Sequence, residues 1–165
     1  MAKEDSTDLK TGPKPASPST RALQAAVLEQ LPFHDTDDFE QARRGLIAAL
    51  PDGTYSIDDF LDNDGSVDEP IQVSLDLTIE GERLVLDFTR TAGAVAGPVN
   101  ISKSTAIAAC YVGLKHIFRD VPANAGCLEP VEVRIADGSL LDASWPRPVA
   151  GYTETILRIM DLIFG

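Results

Sequence analysis

The sequence predicts an α+β fold in which an antiparallel hairpin or sheet is packed by helices, behind a helical N-terminal segment and a flexible N-terminal arm. Two observations carry this prediction. Ile71, Val73, Leu75, Leu77 and Ile79 alternate strictly with Gln72, Ser74, Asp76 and Thr78, the period of a half-buried strand, and Leu84, Leu86 and Phe88 resume it after Glu80-Gly81-Glu82. The helical signals lie on either side of this hairpin and do not alternate with strands as regular parallel βαβ units.

Residues 1–19 combine Lys, Ser and Thr with Pro13, Pro15 and Pro18 and hold almost nothing to bury, so they read as a flexible arm. Residues 20–50 read as a helical segment. Thr20 can cap a first helix with Leu23, Val27 and Leu31 at helical spacing, which Pro32 closes. A second helix is expected from about Thr36 to Ala49, with Asp37, Asp38 and Glu40 in its first turn and Phe39, Ala42, Leu46, Ile47 and Leu50 inward. At Pro51-Asp52-Gly53 the chain turns, and Asp52 to Glu69 holds seven acidic residues and no Lys or Arg, which reads as a boundary and a solvated acidic turn ahead of the hairpin. Residues 51–165 form the second predicted unit.

After the hairpin, the glycine-rich link Gly93 to Gly97 leads through Pro98-Val99-Asn100 into a helix expected from about Ser102 to Phe118. Its small residues, Ala106, Ala109 and Cys110 among them, predict close packing against a neighbour. Pro130, Val131, Val133 and Ile135 read as a short strand ended by Asp137-Gly138, and Thr153 is expected to cap a last helix carrying Ile156, Leu157, Met160 and Ile163.

The 165 residues carry 14 Lys and Arg against 26 Asp and Glu, a formal charge of −12. That balance disfavours nucleic acid and anionic membrane surfaces as partners. No apolar stretch approaches the length of a membrane span, and the charged opening MAKEDSTDLK does not resemble a signal peptide, so a cytoplasmic protein is expected. Cys110 and Cys127 form no CxxC pair, which fits a reducing compartment, although a disulfide between them remains open.

Candidate chemistry is sparse. Asp62-Asn63-Asp64-Gly65 is superficially like a calcium loop, but the register puts Phe60 at position one and Ile71 at position twelve, where strong ligands are required. His34 and His116 belong to no HxH, HxxxH or HExxH group, and His116 reads as a helix-face residue. Neither a GxxxxGK[ST] phosphate loop nor a GxSxG elbow is present. Cys127, after Asn124-Ala125-Gly126, is either a nucleophile whose thiol is activated by turn amides or a small buried residue in a tight turn. Asn100 and Asn124 either orient a ligand amide or satisfy turn backbone, and Glu154 with Arg158 is either a site pair or a helix salt bridge. Asn100, Asn124, Cys127 and Glu154 are the substrate-side candidates, because polar groups at turns and at a helix start can converge on a small ligand. No metal ligand set is assigned.

From about residue 50 to 165 the chain resembles the C-terminal part of the B-type subunit of the hydantoinase B/oxoprolinase family. The blocks that carry this are LPDGTYSIDDFLDNDG, DFTRTAGAVAGPVNISKSTAIAACY and VPANAGCLEPVEVRIADGSLLDASWPRPVAGYTETILRIMDLIFG. The resemblance implies ATP-dependent hydrolysis of a small cyclic amide such as 5-oxoproline or a hydantoin. It also implies ATP supplied through a partner A-type subunit rather than bound by this chain, and the family's metal-site histidines and aspartates in an upstream half with no counterpart here. The expectation is thus a truncated B-type chain, inactive alone, that pairs with the A-type subunit or the missing half of the B-type subunit. Residues 11–53, with PKPASPSTRALQAAVLEQLPFHDTDDFEQARRGLIAALPDG, are similar to the N-terminal segment of alkyl sulfatases of the metallo-β-lactamase superfamily, without their HxHxDH motif. The alternative expectation is a hybrid remnant or a noncatalytic interaction module that uses its N-terminal helices and an exposed hairpin edge.

Overall fold

The computed structural model describes residues 36–119 and 128–165. The predicted arm, the helix beginning at Thr20, His34, Asn124 and Cys127 lie outside the described residues. Among the described residues, seven elements follow in order: α1 (Thr36–Ala48), β1 (Gly53–Leu61), β2 (Ile71–Glu80), β3 (Arg83–Asp87), α2 (Lys103–Ile117), β4 (Val131–Arg134) and α3 (Tyr152–Phe164). The strands form one sheet in the order β1-β2-β3-β4. This is the α+β class that the sequence predicts.

The central hairpin is as expected. Glu80 pairs with Arg83 across the two-residue turn Gly81-Glu82, and Gly81 alone takes a positive φ of 57°, the pattern of a type II′ turn. Asp52 Oδ1 accepts the Gly81 N–H at 2.9 Å and ties the turn to the start of β1.

Two features depart from the sequence reading. Residues 53–61, expected within an acidic turn, form a nine-residue strand that pairs antiparallel with β2 from Gly53↔Ile79 to Leu61↔Ile71. The pairing gives β1 the inward positions Tyr55, Ile57, Asp59 and Leu61, and Asp59 is tolerated there because Arg158 of α3 reaches its Oδ2 at 2.8 Å. Second, β4 pairs parallel with β3, Leu84↔Val131 to Asp87↔Arg134, because α2 carries the chain back before β4 begins. One βαβ crossover therefore sits within an otherwise antiparallel sheet. Neither hairpin strand is an edge: β1 covers one side and β4 the other, which removes the exposed hairpin edge of the interaction-module expectation.

The two faces of the sheet differ sharply. Ile71, Val73, Leu75 and Ile79 of β2 and Leu84 and Leu86 of β3 are buried in one core with Leu46 and Ile47 of α1, Ala106, Ala109, Cys110 and Leu114 of α2, and Ile159, Leu162 and Ile163 of α3. The small residues of α2 allow the close approach predicted: a Cβ on Gly113 would come within 3.1 Å of Ile163. Arg43 of α1 lays its guanidinium over the Phe118 ring, 4.7 Å from the centroid, and joins the two helices.

The opposite face is mainly polar, with Val85 of β3 a buried apolar exception. Thr54 and Thr78 hydroxyls meet at 3.0 Å, Arg90 clasps Asp76 through two bonds of 2.8 Å and reaches Asp58 at 3.0 Å, and Glu132 pairs with Arg83 and Arg134. The Arg90 hydrogen bonds hold Asp76 below its usual range.

Helix ends match less evenly. Ser102 caps α2 as expected, its hydroxyl accepting from Thr105 N. For α3 the cap position is Gly151, without a side-chain bond, and Thr153 is one turn-residue inside the helix. Gly151 is fixed instead by its own N–H, which donates to Pro98 O at 2.8 Å.

Because Leu86 is fully buried in the core, Leu86→Ala should lower unfolding free energy by about 2–5 kcal/mol in chemical denaturation. A loss below about 1 kcal/mol would show that β3 is not packed as described.

Candidate functional site

Three loops meet at one end of the sheet: residues 62–70, 92–101 and 138–151. Their meeting depends on two buried polar side chains. Asp64 is 3% exposed. Its Oδ1 accepts the N–H groups of Ser66 and Val67, both at 2.7 Å, and its Oδ2 accepts that of Gly97 at 2.8 Å. The first two bonds shape the 62–70 loop and the third reaches across 33 residues to the next one. Gly65 supports the turn with a φ of 78°, and its N–H donates to Asn63 Oδ1 at 2.9 Å. The bonds from Val67, Ser66 and Gly97 hold the Asp64 carboxyl below the ordinary value of 3.8.

Gly97 has no room for a side chain. A Cβ there would lie 1.7 Å from the Asp64 carbonyl oxygen. The glycine therefore reflects a close backbone approach rather than a need for unusual φ.

Asn100 is fully buried and spends its whole amide on backbone. Its Oδ1 accepts Val95 N at 2.8 Å, and its Nδ2 donates to Val95 O, Gly97 O and Pro148 O at 3.0, 2.8 and 3.0 Å. The structure thus assigns it the turn-satisfying role of the two left open by the sequence. Beside it, Thr155 of α3 donates its hydroxyl to Val99 O, so the first turn of α3 is bolted to the same loop. Glu154 lies exposed on that turn.

Of the four residues selected from the sequence, Asn100 and Glu154 therefore belong to one junction, while Asn124 and Cys127 lie outside the described residues. Glu154 and Arg158 do not form the i, i+4 pair considered above, since Arg158 turns to Asp59 at 2.8 Å and to Asp161 at 3.6 Å. His116 is a helix-face residue, as read: its Nδ1 meets Val112 O at 2.8 Å and its ring packs edge-on against Phe164. Cys110 is buried and free, and burial pushes its thiol up to about 12, far from the reactive range. Sequence reasoning met Asp64 only as a position in a failed calcium-loop register and Gly97 only as the end of a glycine-rich link, and did not join the two. Asp64-Gly65 and Gly97-Pro98 are visible as turn signals, but no local pattern links them.

A cleft of about 300 Å³ opens beside the Asp64 bridge. Val67, Glu69 and Pro70 line it from one loop with Ile71 at the start of β2, and Ala92, Val95 and Ala96 line it from the other. Its walls are mainly apolar, and among the described residues that line it the charged groups are the carboxylates of Asp64 and Glu69. Among the described residues no cluster of three His, Cys, Asp or Glu side chains is arranged to hold a metal ion, and no helix is long and apolar enough to cross a membrane.

The hydantoinase B/oxoprolinase family profile matches residues 21–165. The chain belongs to that family. The match begins well upstream of residue 50, where the resemblance was first placed, and runs through the stretch 21–53 that was likened to alkyl sulfatases.

Among its relatives is 5-oxoprolinase 1 of Arabidopsis thaliana, 35% identical over 67% of this chain and 8% of the relative. The 5-oxoprolinase of Saccharomyces cerevisiae is 32% identical over 84% of this chain and 11% of its own length. A solved structure, the ATP-dependent caprolactamase of Pseudomonas jessenii, superposes with a TM-score of 0.62 at 25% identity, over 76% of this chain and 22% of that one. The chain thus spans about a tenth of the two oxoprolinases and about a fifth of the caprolactamase.

The Asp64 bridge yields a signed pH dependence. Its folded pKa lies below its unfolded value, so its contribution is present above about pH 3.8 and is lost as pH falls through the lower folded value. Asp64→Asn should lower the melting temperature at neutral pH and shrink the difference from wild type on strong acidification, in thermal melts across pH. A constant difference at every pH would show that the carboxylate charge is not what the bridge uses. Gly97→Ala should destabilise beyond the usual cost of a surface Gly→Ala change, because backbone must move to admit the methyl.

Proposed function

We propose that this chain works as the B-type component of an ATP-dependent hydrolase that opens a small cyclic amide, and that it is inactive alone. The observation that carries this reading is the family match across residues 21–165. The names of the relatives and of the solved structure, two 5-oxoprolinases and an ATP-dependent caprolactamase, support the substrate class and the use of ATP. The small share of those proteins that this chain spans supports the inactivity.

In this reading ATP, held by an A-type subunit, supplies the phosphoryl group that activates the amide oxygen, and water then opens the ring C–N bond. This chain contributes wall and loop structure to the substrate pocket and a surface for the rest of the assembly. Asn100 sets the loop and Glu154 faces outward from the adjoining helix start, so substrate contact at this junction falls to Glu154, with Asn124 and Cys127 completing the candidate set. The reading places the protein in the cytoplasm, where ATP is available. The family match through residues 21–53 supports treating that stretch as part of the same unit and not as an alkyl sulfatase-like addition.

The test is size-exclusion chromatography with light scattering on the chain alone and mixed with an A-type subunit, followed by assays of ATP-dependent hydrolysis of 5-oxoproline, hydantoin and caprolactam. No turnover alone, and a complex with the A-type subunit or the remainder of a B-type subunit, are expected. A chain that ignores both partners overturns the reading, and turnover by the chain alone overturns its inactivity.

A further inference from the structure

The outer surface of the α2–α3 layer is apolar where a face turned to water is ordinarily charged. Among the described residues, six of the nine large apolar side chains that stand exposed are Val112 on α2, Tyr152, Leu157 and Phe164 on α3, and Trp145 and Val149 in the loop that leads into α3. Such side chains scattered singly are ordinary, whereas their concentration on one surface marks a contact. The sequence carries the same bias: from Ser104 to Leu114, α2 holds no charged residue, in a chain whose formal charge is −12. A helix without a charged face is ordinarily covered on all sides.

The two helices run in the same direction. Val99, just ahead of α2, accepts the Thr155 hydroxyl from the first turn of α3, and at the other end Gly113 lies against Ile163 and the His116 ring packs edge-on against Phe164. Ala108, Val112 and His116 form an exposed row on α2, each four residues from the next. Ile156, Met160 and Phe164 form a row of the same spacing on α3, half-buried until Phe164. Rows at this spacing are the ridges between which a further helix seats. The rows converge at His116 and Phe164, so the seam between them has a low wall of small residues and a high wall of large ones.

Length indicates what covers it. The part of the caprolactamase that superposes on this chain is 22% of that chain, so nearly four-fifths of one continuous polypeptide lies outside the shared unit. Surfaces held together permanently are apolar, like a core cut in two, whereas exchangeable interfaces are more polar. Resting on the functional reading above, we infer that the α2–α3 seam is the docking face for an apolar helix from the remainder of a B-type subunit, with Ala108 and Val112 on its low wall and Met160 and Phe164 on its high one.

The test pairs the full 165-residue chain with a caprolactamase chain from which the superposed part is deleted, the two being produced together. Val112→Cys is labelled with a maleimide and read by tandem mass spectrometry, which separates position 112 from Cys110 and Cys127. In the chain alone, position 112 should label readily. In the complex it should label about tenfold more slowly, and Ala108→Arg should weaken association by about tenfold or more, the effect of a charge placed inside a desolvated contact. Ala108 is exposed, so the variant should keep the melting temperature of the free chain.

The docking face is overturned, and the functional reading left standing, if the complex forms with position 112 labelled as in the free chain, if it tolerates Ala108→Arg, or if the chain joins an A-type subunit and not the remainder. Protection of position 112 in the chain alone, or self-association that Ala108→Arg abolishes, also overturns the face, because the seam is then filled by this chain. Protection and weakening in an assembly that hydrolyses no cyclic amide support the face and overturn the reading of function. A chain that joins neither partner overturns both.

Discussion

Everything in this fold is arranged around the two-faced character of β2. Its alternation sends Ile71, Val73, Leu75 and Ile79 to one side and Gln72, Ser74, Asp76 and Thr78 to the other, so most of the apolar area worth removing from water lies on one surface of the sheet. Helices α1, α2 and α3 contribute to a single core on that side, and the other side is finished by hydroxyls and ion pairs. A register slip of one residue in β2 would reverse both surfaces at once. The flanking strands inherit their facing from it: Leu84 and Leu86 are inward because they pair with Ile79 and Leu77.

On this scaffold the loop junction is held by polar groups that are buried because they are fully used. Asp64 and Asn100 bring distant stretches of backbone together without forming part of any regular element. Leaving an amide or a carboxylate in such a place is costly unless each of its bonding positions finds a partner, and here the partners are backbone groups from neighbouring loops. The arrangement frees the adjacent cleft walls to be short apolar side chains, since they are not needed to hold the loops in place.

How far this was legible in the sequence depends on the distance over which each feature is determined. The central hairpin and α2 were readable because their information is local: period-two alternation around Gly81, and Ser102 ahead of a run of small and apolar residues. Strand β1 was hidden by Asp58 and Asp59, which made it look like solvated turn. Asp59 occupies an inward position only because Arg158, 99 residues later, neutralises it, and Arg158 itself looked locally like a partner for Glu154. The parallel placement of β4 was similarly out of reach, since it is decided by where α2 delivers the chain. At the site, Asn100 and Glu154 were picked as polar residues at a turn and a helix start, and they do share a junction. The Asp64–Gly97 contact was not found, because neither residue reveals the other.

The charges that obscured β1 have another consequence. With Asp58 and Asp59 near its middle, this border of the sheet is a poor template for hydrogen bonding by a further chain, because a second copy would bring its own carboxylates alongside. The opposite border, β4, is only four residues long and carries Glu132 and Arg134. Both ends of the sheet thus discourage uncontrolled lateral growth. Resistance to fibre-like stacking is written into the same residues that disguised the strand.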